Sequence, residues 1–213
     1  MLSLEEGVKS FSVSFAQQGS MIQDIVTGAV LKKLAKYYAG KIDCADAAIH
    51  LVYHQWMGAF PMNKDSAEQL INMSTVIASM VGADKIITKT REEASGIPTK
   101  EANAKTVANT QYTLRILNGL PSVVDEEEEE ILTQEVHAIM EAVFNDCADT
   151  LWRKVFNCIK NGIIDVPFSP HIINHNNMIT IRDTNKNIRI IDRGNVPIPD
   201  NCYAYEKSQC DLN

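Results

Sequence analysis

"KIITKTREEASGIPTKEAN" runs from Lys85 to Asn103. It sets a short apolar run, Ile86-Ile87, against an immediate burst of polar side chains, then constrains the backbone with Gly96-Ile97-Pro98. A strand followed at once by a lysine, with a glutamate four residues on, is how a barrel enzyme delivers polar groups to the C-terminal rim of a strand, where a small molecule can reach them. Helix-forming residues resume at Lys100 and continue to about Asn118, so the stretch reads as strand, rim loop and helix of one βα unit.

Two more such units precede it. Phe11-Ser12-Val13-Ser14-Phe15 alternates apolar and polar as a strand does, and Gln17-Gln18-Gly19-Ser20 is a turn that ends in a helix N-cap. From Met21 to about Tyr38, residues Ile22, Ile25, Val26, Ala29, Val30 and Leu34 recur at helical spacing and define one buried face. Ala48 to Tyr53 is a second strand, leading into His54-Gln55-Trp56-Met57-Gly58-Ala59-Phe60-Pro61, and a second helix spans Asp65 to Val81. Three consecutive βα units imply parallel pairing with right-handed crossovers.

The C-terminal part is less regular. Asp125 and the glutamates Glu126 to Glu130 precede an amphipathic run carrying Ile131, Leu132, Val136, Ile139, Met140 and Val143. The acidic residues read as a solvated first helical turn favoured by the helix dipole. A further helix is expected near Thr150 to Asn161, a short strand at Ile163 to Phe168, and a β-hairpin from Met178 to Ile191 turning at Thr184 to Asn187. The expected organisation is α/β: βα units over 1–123, then helices, a last short strand and the hairpin over 124–213, packed on the same domain.

Composition narrows the function classes. Of 213 residues, 45% are hydrophobic and 22% charged, an ordinary globular mix. The net charge of −7 and the lack of a Lys/Arg stripe argue against a nucleic-acid partner. No apolar run approaches the roughly 20 residues of a membrane span. The first residues lack a signal peptide's basic and apolar regions, which makes the cytoplasm the expected compartment. Cys44, Cys147, Cys158, Cys202 and Cys210 are scattered and odd in number, hence read as reduced thiols.

Several side chains are candidates for chemistry. Lys89 and Glu93 could hold a ligand's hydroxyls or carboxylate by charge-assisted hydrogen bonds, or form a simple surface ion pair. His54 and Trp56 could wall a polar pocket or pack in a core. His171 and His175 have a zincin-like spacing but no intervening glutamate and no helical context, so no metal site is assigned. GxSxG, P-loop and GxGxxG motifs are absent, which leaves nucleophilic, phosphoryl and dinucleotide chemistry unsupported.

Five motifs, "GSMIQD" (Gly19 to Asp24), "HQWMGAFP" (His54 to Pro61), "KTREEASGIPTKEAN" (Lys89 to Asn103), "DVPFSP" (Asp165 to Pro170) and "RGNVP" (Arg193 to Pro197), stand in an order and spacing that resembles the large-subunit family of glutamate mutase, also called methylaspartate mutase epsilon. The resemblance reaches to about Asp200. It implies the C-terminal part of a TIM barrel, about three to four βα units, in an adenosylcobalamin-dependent isomerase that interconverts L-glutamate and threo-3-methylaspartate by radical chemistry. In that family a separate cobalamin-binding small subunit with a DxHxxG motif ligates the cobalt, and no DxHxxG occurs here. Carried over by motif, Phe60, Lys89, Glu93 and Ile97 fall on coenzyme contacts: Lys89 and Glu93 on the ribose of the adenosyl group, Phe60 and Ile97 as apolar walls.

The departures are equally definite. Family members are about twice as long, and this chain is expected to begin near the helix before the fifth barrel strand. The substrate-clamping arginines, a glutamate and tyrosines of the family would lie upstream, so no catalytic residue is assigned. Arg91-Glu92 stands where relatives are expected to carry Pro-His, and the tail beyond Asp200 diverges. Two readings stay open: an enzyme part that needs a complementary N-terminal half-barrel chain, or self-association, together with the cobalamin subunit; or a non-catalytic remnant or interaction module that keeps the fold.

Overall fold

The computed structural model describes residues 1–117 and 124–210. The chain is built as two compact units, one over Ser3–Asp125 and one from Glu126 onward. No helix among the described residues is long and apolar enough to cross a membrane.

The first unit opens with a short helix, α1 (Leu2–Glu5), and continues as β1 (Ser10–Ala16), α2 (Met21–Lys41), β2 (Ala48–His54), α3 (Lys64–Val81), β3 (Lys85–Ile87) and α4 (Lys100–Ile116). The strands form one parallel sheet in the order β1-β2-β3, with Ser10 opposite Ala48 and Val52 opposite Lys85. All three βα units expected from the sequence are present, and their helices begin where side chains satisfy free N–H groups. Ser20 accepts from the Gln23 amide, Asn63 from those of Asp65 and Ser66, and Thr99 from that of Ala102. Gly82 closes α3 in the left-handed conformation, φ 68°, which glycine adopts without a Cβ penalty.

Helices cover one face of this sheet. Leu51 and Tyr53 from β2 pack with Ile25 of α2 and with Ile77, Ala78 and Val81 of α3, flanked by Val13, Phe15 and Ile86. Gly28 is required by this contact, since a Cβ there would lie 2.5 Å from a Val81 methyl. The opposite face carries Ser10, Ser12, Ser14 and His50, all exposed, together with Val52, which is buried. Parallel sheets are ordinarily buried on both faces, so this one is half-covered.

The second unit comprises α5 (Glu126–Phe144), α6 (Leu151–Lys160), the antiparallel hairpin β4 (Ile179–Arg182) and β5 (Ile188–Asp192), and α7 (Asp200–Cys210). Its core joins Ile190, Val196, Ile198 and Cys202, with Ile131, Ile139, Met178 and Tyr203 packed around them. The hairpin turns as expected, with Asp183 accepting from the Asn187 backbone and side-chain amides.

Two expectations fail here. Ile163 to Phe168 forms no strand. Its Asp165 instead gathers the backbone N–H groups of Asn176, Asn177 and Met178 and the Asn174 side chain at 2.7–2.9 Å, and knots the segment into a loop. Burial pushes the Asp165 carboxyl up, but these amides outweigh it and hold the group below the usual carboxylate range. The acidic run is also not uniformly solvated: Glu128 is buried and binds Arg189 at 2.6 Å. The helix α7 went unanticipated in the sequence. The five cysteines are free thiols.

Candidate functional site

The connections after β2 and β3 leave neighbouring parallel strands at their C-terminal ends, which places "HQWMGAFP" and "KTREEASGIP" on the same rim of the sheet. In the second connection Lys89 Nζ lies 3.4 Å from Glu93 Oε2. Glu93 Oε1 also accepts from the backbone N–H of Thr90 at 3.2 Å. The two side chains are about a quarter exposed, 24% and 23%, so water and ligand can both reach them.

Glu93 opens a single 3-10 turn, Glu93–Ser95, and Gly96 follows at φ 112°, a conformation that favours glycine. That turn throws Ile97 outward with 98% of its surface exposed. Phe60 stands half-buried in the neighbouring connection. The structure thus pairs Lys89 with Glu93 and sets Phe60 and Ile97 on the same rim, with Ile97 in contact with little but solvent.

The loop around these groups is well anchored despite its departure from the family pattern. Glu92 accepts from the amide and hydroxyl of Thr99, both at 2.9 Å, and these donors hold its carboxyl below the usual range. Arg91 reaches Glu68 of α3 at 3.9 Å, and Lys105 of α4 reaches the same carboxylate at 3.5 Å. In the β2 connection the Trp56 indole donates to the carbonyl of Ala59 at 3.1 Å. A Cβ on Gly58 would come within 2.6 Å of that indole, so the loop is wrapped tightly over the ring.

Sequence reasoning missed the buried amides under this rim. Gln55 is fully buried, and its Oε1 accepts from the Lys89 backbone N–H at 2.9 Å. Its one sequence signal is position: it directly follows the last strand residue. His171 and His175 do not converge. The ring of His175 contacts the Lys160 carbonyl at 2.8 Å, and His171 Nδ1 accepts from the amide of Ile173. Among the described residues no strand pairs with the outer side of β3, and a groove lined by Lys85, Ile86, Thr88, Val107, Thr110 and Leu114 lies beside it.

Residues 1–211 match the family model described as methylaspartate mutase E chain (MutE). Similar curated proteins are named glutamate mutase epsilon subunit. Those of Escherichia coli O157:H7 and Treponema denticola are each 34% identical, over 99% and 98% of this chain, and that of Yersinia enterocolitica is 35% identical over 93%. The chain belongs to the methylaspartate mutase E chain family. It spans less than half the length of these relatives: 46%, 44% and 42%.

Proposed function

We propose that this chain is the C-terminal part of the barrel of an adenosylcobalamin-dependent carbon-skeleton isomerase that converts L-glutamate to threo-3-methylaspartate, and that Lys89 and Glu93 hold the ribose of the coenzyme's adenosyl group. The observation that carries the reading is the Lys89–Glu93 pair itself, a cation and a carboxylate 3.4 Å apart on a strand rim, in the same connection as the almost fully exposed Ile97. The donor set fits a vicinal diol: the ammonium of Lys89 donates to a hydroxyl oxygen, and the carboxylate of Glu93 accepts the hydroxyl proton. Phe60 and Ile97 would flank the sugar and base and keep water from them. The coenzyme, when bound, would supply radical chemistry, and Lys89 and Glu93 would bind and orient its sugar.

The half-covered sheet and its open β3 edge support a requirement for more protein: a complementary N-terminal half-barrel or a second copy of this chain, and a cobalamin-binding subunit. The expected place of work is the cytoplasm.

The test is reconstitution. This chain mixed with glutamate, coenzyme and a cobalamin subunit should form no methylaspartate, and adding a polypeptide with the N-terminal half should restore formation. In the restored assembly, Lys89→Ala and Glu93→Gln should each slow turnover by roughly one to two orders of magnitude, since a charge-assisted hydrogen bond contributes about 1.5–3 kcal/mol. Turnover at the native rate in both variants would remove the coenzyme role. Failure of the N-terminal half to restore activity would favour a non-catalytic remnant.

A further inference from the structure

Two glutamines at the strand rim make the same contact one strand apart. Gln17 directly follows β1; its backbone N–H donates to the carbonyl of His54 at 2.9 Å, and its Oε1 accepts from the backbone N–H of Trp56 at 3.2 Å. Gln55 directly follows β2; its backbone N–H donates to the carbonyl of Ile87 at 3.1 Å, and its Oε1 accepts from the backbone N–H of Lys89 at 2.9 Å. Each glutamine therefore carries the backbone ladder one residue past the strand, and then uses its side chain to hold the second residue beyond the end of the next strand.

Both are anchored from the same point on α3. Ser74 donates its hydroxyl to Gln17 Oε1, and the adjacent Thr75 accepts from Gln55 Nε2 at 3.0 Å. The carbonyl of Ile71 takes the second Gln55 donor at 3.2 Å. Gln55, Ser74 and Thr75 are wholly buried, and Gln17 is 8% exposed. A planar amide suits this position because it offers an acceptor and two donors in one rigid group, whereas leucine offers neither and glutamate lacks the amide donors. Because the anchoring bonds to α3 are buried, they fix the glutamine side chains more firmly than exposed ones would.

We propose that Gln17 and Gln55 are positioning residues for the rim, and that Gln55 fixes the backbone from which the Lys89 side chain projects. The functional consequence rests on the coenzyme reading of Lys89; the backbone clamp itself does not.

Amide hydrogen exchange on the chain as it stands tests the clamp directly. In Gln55→Leu the Lys89 amide should exchange at least about tenfold faster while the amides of Leu51 and Val52 keep their protection. Gln55→Glu, which retains an acceptor for the Lys89 amide, should recover part of that protection. An unchanged Lys89 amide in Gln55→Leu overturns the proposal. If Gln55→Leu does not fold, Thr75→Val decides: loss of one anchor should speed Lys89 exchange by about threefold, and no change overturns the clamp. In the reconstituted assembly, Gln55→Leu should raise the coenzyme concentration for half-maximal turnover about tenfold and change the maximal rate less. Should Lys89→Ala leave turnover intact, the coenzyme reading falls and hydrogen exchange alone decides the clamp. Should Lys89→Ala slow turnover while Gln55→Leu leaves the coenzyme requirement at the native value, the positioning role is overturned.

Discussion

Tyr53 illustrates how one atom can work against its own side chain. Its ring is fully buried and meets Phe15 edge-on at 5.4 Å, while its hydroxyl is buried without a hydrogen-bond partner. Burial, reinforced by the negative charge of Asp24, pushes the phenol far above its ordinary range, so the group stays a neutral donor with nothing to receive its proton. An unpaired buried hydroxyl costs about 1–3 kcal/mol. Tyr53→Phe keeps the ring and removes that cost, so the variant should be about 1 kcal/mol more stable and melt a few degrees higher. A lower melting temperature would mean that the hydroxyl has a partner. The sequence shows at this position only an apolar-facing strand residue, because the fate of one oxygen is decided by what three other elements bring near it. Lys89 and Glu93 were legible for the opposite reason. They sit four apart in one short loop, and their meeting needs no distant element. Gln55 needs α3 and β3 both, and nothing in its neighbours announces that.

Among the elements, α5, the hairpin and α7 are joined by charge as well as by apolar packing. Arg189 of β5 binds Glu128 of α5 at 2.6 Å, Asp183 in the hairpin turn at 3.0 Å and Glu206 of α7 at 3.3 Å, and Tyr205 donates to Glu128 at 2.7 Å. Glu135, one face of α5 further along, is buried near Glu206 and Glu128. Burial first, then those two carboxylates, raise it to about 8 against the opposing pull of Arg189. One guanidinium cannot neutralise four buried carboxylates, so Glu135 keeps its proton at neutral pH. The folded value lies above the ordinary 4.5, so this contribution to stability is complete below about 4.5 and is lost as pH climbs through about 8. Glu135→Gln, a fixed neutral mimic, should make the melting temperature flatter across that window than in the native chain. The same slope in both would place the proton elsewhere, on Glu206, whose carboxyl burial also pushes up. Hydrophobic periodicity showed α2 and α3, since their buried residues are mostly apolar, although Ile22, expected on the buried face of α2, is exposed. It could not show α7, whose buried residues are Cys202 and the charged Glu206, nor could it show that one member of a glutamate run turns inward to an arginine sixty-one residues away.

At the scale of the first unit, a sheet whose helices pack on one face, and whose outer strands each lack a strand partner on one side among the described residues, is an incomplete surface. Such a surface calls for a complement, so the chain alone should run larger than a monomer in size-exclusion chromatography with light scattering, or shift to a defined complex when the N-terminal half is added. A monomer at every concentration that ignores the added half would count against this. The same parallel topology bears on how the chain is made. Every rung between β1 and β2 joins residues that have the whole of α2 between them, whereas the two strands of the hairpin are neighbours in the chain. Contacts that close long loops form late, and local ones form early. On the ribosome, α2 is therefore synthesised before the strand that completes its resting place, and Ile25, Val26, Val30 and Leu34 spend that interval without β2 to cover them. That apolar face is a part of the nascent chain that a chaperone would meet before β2 is made.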